Sequence, residues 1–336
     1  MGFTQSAVED MEIKLKNKNI LVTGGTGFIG SHLIEELIKN QVNVYTTFQE
    51  VIPYSYFFSQ NLDKKTVMID ADVSDFDKMF DIVTKFKIDY VFHLAAQSLV
   101  EVAYHNPKKT FSSNILGTIN ILECARLYPK IKGVIIASSD KAYGKLNGGQ
   151  YKESDPLRGD HPYEVSKSCA DLIAHSYYKT YGLPVVTTRF GNVYGEGDLN
   201  FCRLIPGIMR AIIRDETLEI RSNGKYVRDY LYVKDVVNGY LLILKNLDNA
   251  VGEAFNFGSK DNLSVIDLIS LVEDVLNKKI KYKILNTAKN EIPYQSLDFS
   301  KIKNRLSWKP NHSISRIIKL VYKWYQQYFT ELQKFA

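Results

Sequence analysis

The stretch KNILVTGGTGFIGSHLIEELIKN, residues 18–40, decides the fold. Its first part is an apolar run that predicts a buried strand, and its second part has the apolar spacing of a helix. Gly24, Gly27 and Gly30 stand between them at intervals of three residues. Glycines in this pattern allow a tight turn, a close approach of the backbone to a pyrophosphate, and close packing of the helix on the strand. The stretch therefore predicts a strand–turn–helix unit that binds a dinucleotide.

The same alternation continues through the first half of the chain. Helical spacing marks residues 74–86, which we expect Ser74 to cap, and residues 110–128. Further strands are predicted for VNVYTT (42–47), KTVMIDAD (65–72), YVFHLAA (90–96) and GVIIASS (133–139). This order predicts the α/β class, with a Rossmann-type, doubly wound parallel sheet that carries helices on both faces. In such sheets ligands bind beyond the carboxyl ends of the strands.

Composition limits the remaining possibilities. The chain has 336 residues, of which 45% are hydrophobic and 24% are charged, as expected for one large unit or two closely joined domains. Its formal charge of +6 is dispersed among acids, and no apolar run approaches the ~20 residues that span a bilayer, so neither nucleic acid nor membrane is an expected partner. Cys124, Cys169 and Cys202 lack metal-ligand spacing. We therefore expect no metal site, no disulfide framework and a cytoplasmic location.

The cofactor type is not decided by the residues alone. About 20 residues beyond the glycine turn, an acid at the end of the second strand usually selects NAD. Thr46, Thr47, Phe48 and Gln49 stand there instead, and the next basic residue that could hold a 2′-phosphate is Lys64. NAD and NADP both remain open at this point.

A second group of side chains suggests proton transfer. Tyr163 and Lys167 lie in the segment 161–182, which has helical spacing. Because they are four residues apart, their side chains lie on the same face of the helix. A nearby ammonium would lower the pKa of the phenol, which makes Tyr163 a candidate general base. Ser139 ends the strand predicted before this helix, and Asp140 and Lys141 follow it directly. An acid and a base are thus expected at the edge of the sheet where ligands bind.

Taken together, these segments resemble the extended short-chain dehydrogenase/reductase family. The motifs that carry the resemblance are TGGTGFIG (23–30), HLAAQSLV (93–100), SSDKAYG (138–144), PYEVSK (162–167), RFGNVYGEGD (189–198) and GKYVRDYLYVKDV (224–236). They are similar to the nucleotide-sugar 4,6-dehydratase and epimerase branch of that family. The Ser-Asp-Lys triplet and GEGDLNFCRLIPGIMRA (195–211) are most similar to dehydratases of the CDP-glucose type.

The resemblance implies an NAD-dependent enzyme that converts an NDP-hexose, with CDP-glucose favoured, to the NDP-4-keto-6-deoxyhexose. Tyr163, helped by Ser139, would take the proton of the 4-hydroxyl while a hydride leaves C4. Asp140 would protonate the departing 6-hydroxyl, and Lys141 would act as a base or as a cation beside the enolate. Epimerases of this family usually carry small or apolar residues in place of Asp140 and Lys141. A nucleotide-sugar epimerase or reductase is the alternative, and a non-catalytic dinucleotide-binding regulator is a remote one.

The resemblance also implies which residues form the site. Lys167 joins Ser139, Asp140, Lys141 and Tyr163 in the catalytic set. The cofactor contacts would be Gly24, Gly27, Phe28, Ile29, Asp72, Val73, Leu94, Ala95, Ala96, Asn114, Tyr163 and Lys167. The substrate contacts would be Gln97, Asn192, Arg203 and Arg228.

The domain organisation follows from the same reading. Residues 1–17 are expected to be a loose leader and 18–192 a dinucleotide-binding domain. Residues 193–336 would form mainly a smaller, discontinuous domain for the sugar nucleotide, with 228–258 returning to the Rossmann domain. The resemblance further implies a homodimer formed through the helices predicted at 110–128 and 163–182.

Overall fold

A computed structural model describes residues 15–145, 149–287 and 292–333. Its strands are β1 Asn19–Thr23, β2 Asn43–Phe48, β3 Val67–Asp70, β4 Tyr90–His93, β5 Gly133–Ala137, β6 Val185–Phe190, β7 Asn192–Tyr194, β8 Leu218–Ile220, β9 Val227–Tyr232, β10 Ala254–Phe257, β11 Asn262–Ser264 and β12 Tyr282–Ile284. Its α-helices are α1 Phe28–Lys39, α2 Tyr56–Ser59, α3 Phe76–Lys85, α4 Val100–His105, α5 Pro107–Phe111, α6 Gly117–Leu127, α7 Pro162–Tyr181, α8 Leu204–Arg214, α9 Val233–Lys245, α10 Leu247–Ala250, α11 Val265–Leu276, α12 Ser300–Leu306 and α13 Ile314–Gln333. Leu62–Lys65 and Asp140–Tyr143 are 3-10 turns, and Ser112–Leu116 is a π-helical turn.

A seven-stranded sheet in the order β10-β6-β5-β4-β1-β2-β3 forms the centre of the fold, with every neighbouring pair parallel. β1 lies between β4 and β2, so the strand order reverses at β1. Apolar runs such as Ile20–Val22 are fully buried because helices cover both faces. The predicted Rossmann-type, doubly wound sheet is confirmed. The carboxyl ends of β1, β4, β5 and β6 meet along one edge, where the glycine turn and the Ser139 segment lie.

Two small sheets, β11-β9-β7 and β12-β8, are built from the second half of the chain. β10 joins the large sheet beside β6, whereas β9 pairs with β7 and β11 in a small one. The division into domains stays a prediction. Within the expected leader, residues 1–14 lie outside the described ranges, and Leu15 is buried in the hydrophobic core.

Two helix predictions need correction. Asp75, not Ser74, caps α3, because its carboxylate accepts a hydrogen bond from the backbone N–H of Lys78 at 3.0 Å. Ser74 instead donates its hydroxyl to Asp72. The helix predicted at 110–128 is interrupted by the π-helical turn Ser112–Leu116, a kind of turn that often occurs at functional sites.

No helix in the described part of the chain combines the length and apolarity needed to cross a membrane. The same ranges contain no cluster of His, Cys, Asp or Glu side chains that could hold a metal ion.

Candidate active site

The glycines of the turn after β1 leave no room for side chains at two positions. Gly24 has φ +68°, and a Cβ on it would lie 2.9 Å from the backbone of Ala95. A Cβ on Gly30 would lie 2.6 Å from the carbonyl oxygen of Gly24, so the first turn of α1 packs directly on the loop. Gly27, the N-cap of α1, supplies no side-chain cap to the free N–H groups of the helix. A turn of this kind fits a pyrophosphate at the helix N-terminus.

Thr46 and Thr47, near the end of β2, bind the glycine turn. The Thr46 hydroxyl accepts the N–H of Gly25 at 3.0 Å and donates to the carbonyl of Val22 at 2.7 Å. Thr47 Oγ1 accepts the N–H of Gly24 at 3.4 Å. Both threonines are buried and directed inward, so they support the glycine turn.

The loop after β4 is tied to the π-helical turn. The N–H of Ala95 donates to the hydroxyl of Thr23 at 3.2 Å, which places Leu94, Ala95 and Ala96 beside the glycine turn. Asn114 accepts the N–H of Gln97 at 2.7 Å and donates to the Ser166 hydroxyl at 2.9 Å. Asn114 therefore joins this loop to α7.

Asp72 and Val73 follow the carboxyl end of β3, the last strand of the seven-stranded sheet. Asp72 Oδ1 accepts hydrogen bonds from the backbone and hydroxyl of Ser74, both at 2.8 Å. Val73 accepts a hydrogen bond from Asn120 through its carbonyl and packs against Gly117. Phe28 and Ile29 form the first turn of α1.

The acid and the base after β5 form a 3-10 turn with Ser139 as its N-cap. The Ser139 hydroxyl donates to Asp140 Oδ1 at 2.9 Å, and Lys141 Nζ lies 3.5 Å from the same oxygen. Gln295 Nε2 donates to the other oxygen, Oδ2, at 3.1 Å. The side chain of Asp140 is only 2% exposed, whereas that of Lys141 is 25% exposed. A buried carboxylate with donors on both oxygens has a fixed orientation.

Tyr163 and Lys167 both lie on α7 and are buried. Burial raises the pKa of Tyr163 to about 12, against the opposing effects of a hydrogen bond with Ser139 and the charge of Arg203. The Lys167 ammonium donates to the carbonyl of Ala137 at 2.8 Å. Burial lowers the pKa of Lys167 itself to about 8.

Of the predicted substrate residues, Asn192 and Arg203 follow β6 and Arg228 lies on β9. Nδ2 of Asn192, which follows β6, is buried and has no hydrogen-bond partner within the described residues, as expected for a group that reaches a ligand. Arg203 pairs with the buried Asp198 at 3.1 Å, and its charge acts on Tyr163. Arg228 on β9 donates to the carbonyl of Val227 and lies over the ring of Tyr226.

A family model described as GDP-mannose 4,6 dehydratase matches residues 21–321, most of the chain. The chain belongs to this family. A CDP-glucose 4,6-dehydratase from Salmonella typhimurium is 31% identical over 334 residues, covering 93% of this chain and 91% of that protein. The predicted nucleotide-sugar dehydratase branch is thereby confirmed.

Solved structures of two relatives share the fold. A UDP-glucose 4-epimerase from Thermotoga maritima, determined with UDP-glucose, has a TM-score of 0.83 and 30% identity, covering 92% of this chain and 99% of that one. A dTDP-glucose 4,6-dehydratase from Bacillus anthracis in complex with NAD has a TM-score of 0.79 and 26% identity, covering 92% and 97%. Because the two activities share this fold, only side chains can distinguish them in a GDP-mannose 4,6 dehydratase family member.

Sequence reasoning missed three side chains of this family member's site. Gln295 contacts Asp140, and Asp198 holds Arg203. Asp229 lies close to both Gly191 and Gly258, and burial raises its pKa to about 7, with the charge of Asp140 adding to the effect. Gln295 is 155 positions from Asp140 along the chain, so no local pattern could have joined them. Asp198 and Asp229 stand inside quoted motifs, but their burial could not be read from the sequence.

Proposed function

We propose that this chain is an NAD-dependent nucleotide-sugar 4,6-dehydratase, with CDP-glucose as the favoured substrate. It would convert the NDP-hexose to the NDP-4-keto-6-deoxyhexose by oxidation at C4, loss of water across C5 and C6, and reduction at C6. The observation that carries the proposal is the buried Asp140, held beside Lys141 and Ser139 at the end of β5. A proton-transfer pair at this place has a use in elimination that a simple C4 oxidation does not require.

The residues present fit a dinucleotide. Side-chain-free backbone at Gly24 and Gly30, together with the uncapped start of α1, suits a pyrophosphate. NAD is favoured because solved relatives contain it and because no basic residue stands at positions 46–49 to hold a 2′-phosphate. When bound, the nicotinamide ring supplies a reversible hydride acceptor. A titration with NAD and with NADP tests the choice, and far tighter binding of NADP would contradict it.

In the oxidation, Tyr163 receives the proton of the 4-hydroxyl, and Ser139 orients that hydroxyl through its own. Tyr163 must ionise for this role although burial disfavours the phenolate, and the charge of Arg203 offsets part of that cost. Lys167, fixed by the carbonyl of Ala137 and on the same face of α7 as Tyr163, would hold the cofactor. Asn192 and Arg228 are proposed to bind the sugar and phosphates, with Arg203 in support.

In the elimination, the C4 ketone makes the C5 proton acidic. Asp140 gives a proton to the 6-hydroxyl as it leaves, which requires the carboxyl to be loaded with that proton beforehand. Lys141 lies within reach of Asp140 and is more exposed, so it either removes the C5 proton or stabilises the enolate as a cation. The protons balance: the proton removed from C5 is replaced there when C6 is reduced, and the proton that Asp140 gives to the departing water is matched by the one that Tyr163 received from the 4-hydroxyl.

A 4-epimerase is the second candidate, since a UDP-glucose 4-epimerase shares this fold at 30% identity. Ser139, Tyr163 and Lys167 would suffice for that reaction. It would leave the buried Asp140, with Lys141 and Gln295 beside it, without a chemical role.

Incubation of the purified protein with CDP-, dTDP-, UDP- and GDP-hexoses separates the candidates. The proposal predicts a 4-keto-6-deoxy product, formed fastest from CDP-glucose and without net consumption of NAD. An epimerised hexose of unchanged mass would show an epimerase.

We also propose a homodimer formed through the helical segments 110–128 and 163–182. Leu116, Leu127, Leu172 and Tyr181 lie on these segments and are between 43% and 57% exposed. Four exposed apolar side chains on two helical segments that pack against each other suit a four-helix interface between two copies.

A further inference from the structure

We propose that Gln295 is a positioning residue that aims the carboxyl of Asp140 at the leaving hydroxyl, an inference that rests on the proposed dehydratase function. Gln295 Nε2 donates to Asp140 Oδ2 at 3.1 Å, and Gln295 is 2% exposed. The residue comes from the C-terminal part of the chain, whereas Asp140 belongs to the turn after β5. The hydrogen bond therefore joins the proposed acid to a segment outside the Rossmann sheet.

The backbone around Gln295 is fixed on both sides. The N–H of Gln295 donates to the carbonyl of Val227 on β9 at 3.1 Å. The next residue but one, Leu297, donates its N–H to Asp229 Oδ2 at 3.2 Å. The backbone of this segment cannot shift without breaking one of these two hydrogen bonds. The side-chain amide of Gln295 therefore has a defined position beside Asp140.

The two oxygens of Asp140 have different surroundings. Oδ1 faces the Ser139 hydroxyl and Lys141, on the side of Tyr163. Oδ2 faces Gly191, where a Cβ would lie 3.4 Å from Oδ2 and 3.7 Å from the Cβ of Asp229. Gln295 thus supplies a donor on the side where a second buried carboxyl stands.

Rotation of the Asp140 carboxyl would otherwise be weakly restrained, because the terminal torsion of an aspartate is broad. Donors on both oxygens define the carboxyl plane, and with it the direction in which the proton is presented. Proton transfer is sensitive to such alignment, and a misplacement of about 1 Å costs up to about 10²-fold in rate. Gln295 accordingly acts on elimination through Asp140, and not on the C4 oxidation carried by Tyr163.

The test uses Gln295→Met, which keeps the length of the side chain and removes the amide. Gln150→Met is the control, because the exposed Gln150 donates its amide to Ser296 on the same segment and has no hydrogen bond to Asp140. We expect Gln295→Met to slow formation of the 4-keto-6-deoxy sugar about 10- to 100-fold, with C4 oxidation, followed as reduced cofactor in a single turnover, unchanged. The substrate KM should stay the same, and Gln150→Met should behave as wild type in both steps.

Gln295→Glu gives a readout that a merely structural role would not produce. The charged groups facing Asp140 are Lys141 on its own turn and Asp229 on β9, and Tyr163 on α7 is the other titratable neighbour. The carboxyl group that this substitution introduces can donate to Asp140 while it is protonated, whereas its ionised form would repel Asp140. Elimination in Gln295→Glu should therefore recover as the pH falls, relative to Gln295→Met.

The outcomes separate two failures. If the wild-type protein forms no 4-keto-6-deoxy sugar from any of the four nucleotide classes, the proposed function falls and this inference with it. If the wild type forms that product and folded Gln295→Met eliminates water at the wild-type rate, the inference alone is overturned. Equal slowing of oxidation and elimination in Gln295→Met would also overturn it.

Discussion

Thr46 supports the glycine turn through hydrogen bonds. Its hydroxyl is used twice, once by the N–H of Gly25 and once by the carbonyl of Val22. Both partners belong to β1 or to the glycine turn that follows it. Thr46 therefore ties β2 to the glycine turn and to β1.

We expect Thr46→Val to weaken NAD binding and to lower the free energy of unfolding by about 1–3 kcal/mol. The change keeps the shape of the side chain but leaves the buried N–H of Gly25 without its acceptor. Isothermal titration and urea unfolding measure the two effects. Thr84→Val, which removes a hydroxyl bond within α3, is the control and should leave NAD affinity unchanged. Full NAD affinity in Thr46→Val would show that the turn does not depend on this support.

At the scale of elements, a buried ion pair fixes the helix that carries Tyr163 and Lys167. Arg189 on β6 makes two hydrogen bonds of 2.7 Å to Asp171 on α7. The same guanidinium donates to the hydroxyl of Tyr143, which ends the 3-10 turn of Asp140. One arginine therefore sets the relative positions of the sheet, the turn and the helix.

The proposed dimer is tested on α7. Leu172→Glu places a charge in the proposed interface, and we expect a monomer because a buried unpaired carboxylate is strongly unfavourable. Light scattering at micromolar concentration gives the mass. Leu320→Glu on α13 is the matched control, since Leu320 is similarly exposed but lies on neither helix of the interface. A wild-type monomer, or a Leu172→Glu dimer of undiminished affinity, would contradict the proposal.

The elements themselves were largely predictable. The periodicity of the apolar residues and the spacing of the glycines located β1 and α1 to within a residue or two. This was possible because both signals are local in the sequence. The π-helical turn was not predictable, since its Asn114 is held by Gln97 and Ser166 from two other segments. The cap of α3 was missed by one residue because Ser74 and Asp75 are both good caps, and only the bond of Ser74 to Asp72 decides between them.

For the whole molecule, the pKa of Tyr163 and the contact of Gln295 with Asp140 are consequences of tertiary burial. A sequence shows which side chains can ionise, but the cost of ionisation depends on everything packed around them. The same holds for two histidines that the motifs do not explain. His93 lies between the hydroxyls of Thr23 and Thr118, and His32 binds the carbonyl of Glu196.

These histidines predict acid sensitivity. Burial lowers the pKa of His93 to about 3 and that of His32 to about 4, both below the ordinary 6.5. Unfolding therefore takes up protons below about pH 6.5, so the stability that they contribute is complete above that pH and is lost as the pH falls toward 4 and 3. At pH 5 we expect a loss of about 2 kcal/mol for each histidine.

Urea unfolding at pH 7 and pH 5 measures this loss. His93→Gln should show a smaller difference between the two pH values than the wild type, whatever its own stability at pH 7. His105→Gln, at an exposed position, should keep the wild-type difference. An unchanged difference in His93→Gln would assign the acid sensitivity to other groups.

The most direct test of the proposed dehydratase function is a single turnover of Asp140→Asn with CDP-glucose. The absorbance of the reduced nicotinamide is the readout. Tyr163 and Ser139 are intact in this variant, so oxidation at C4 should proceed, whereas loss of water should slow by about 10² to 10⁴ because its acid is gone. The account predicts that the absorbance rises and stays high, while Tyr163→Phe shows no rise. Turnover of Asp140→Asn to the 4-keto-6-deoxy sugar at the wild-type rate would contradict it.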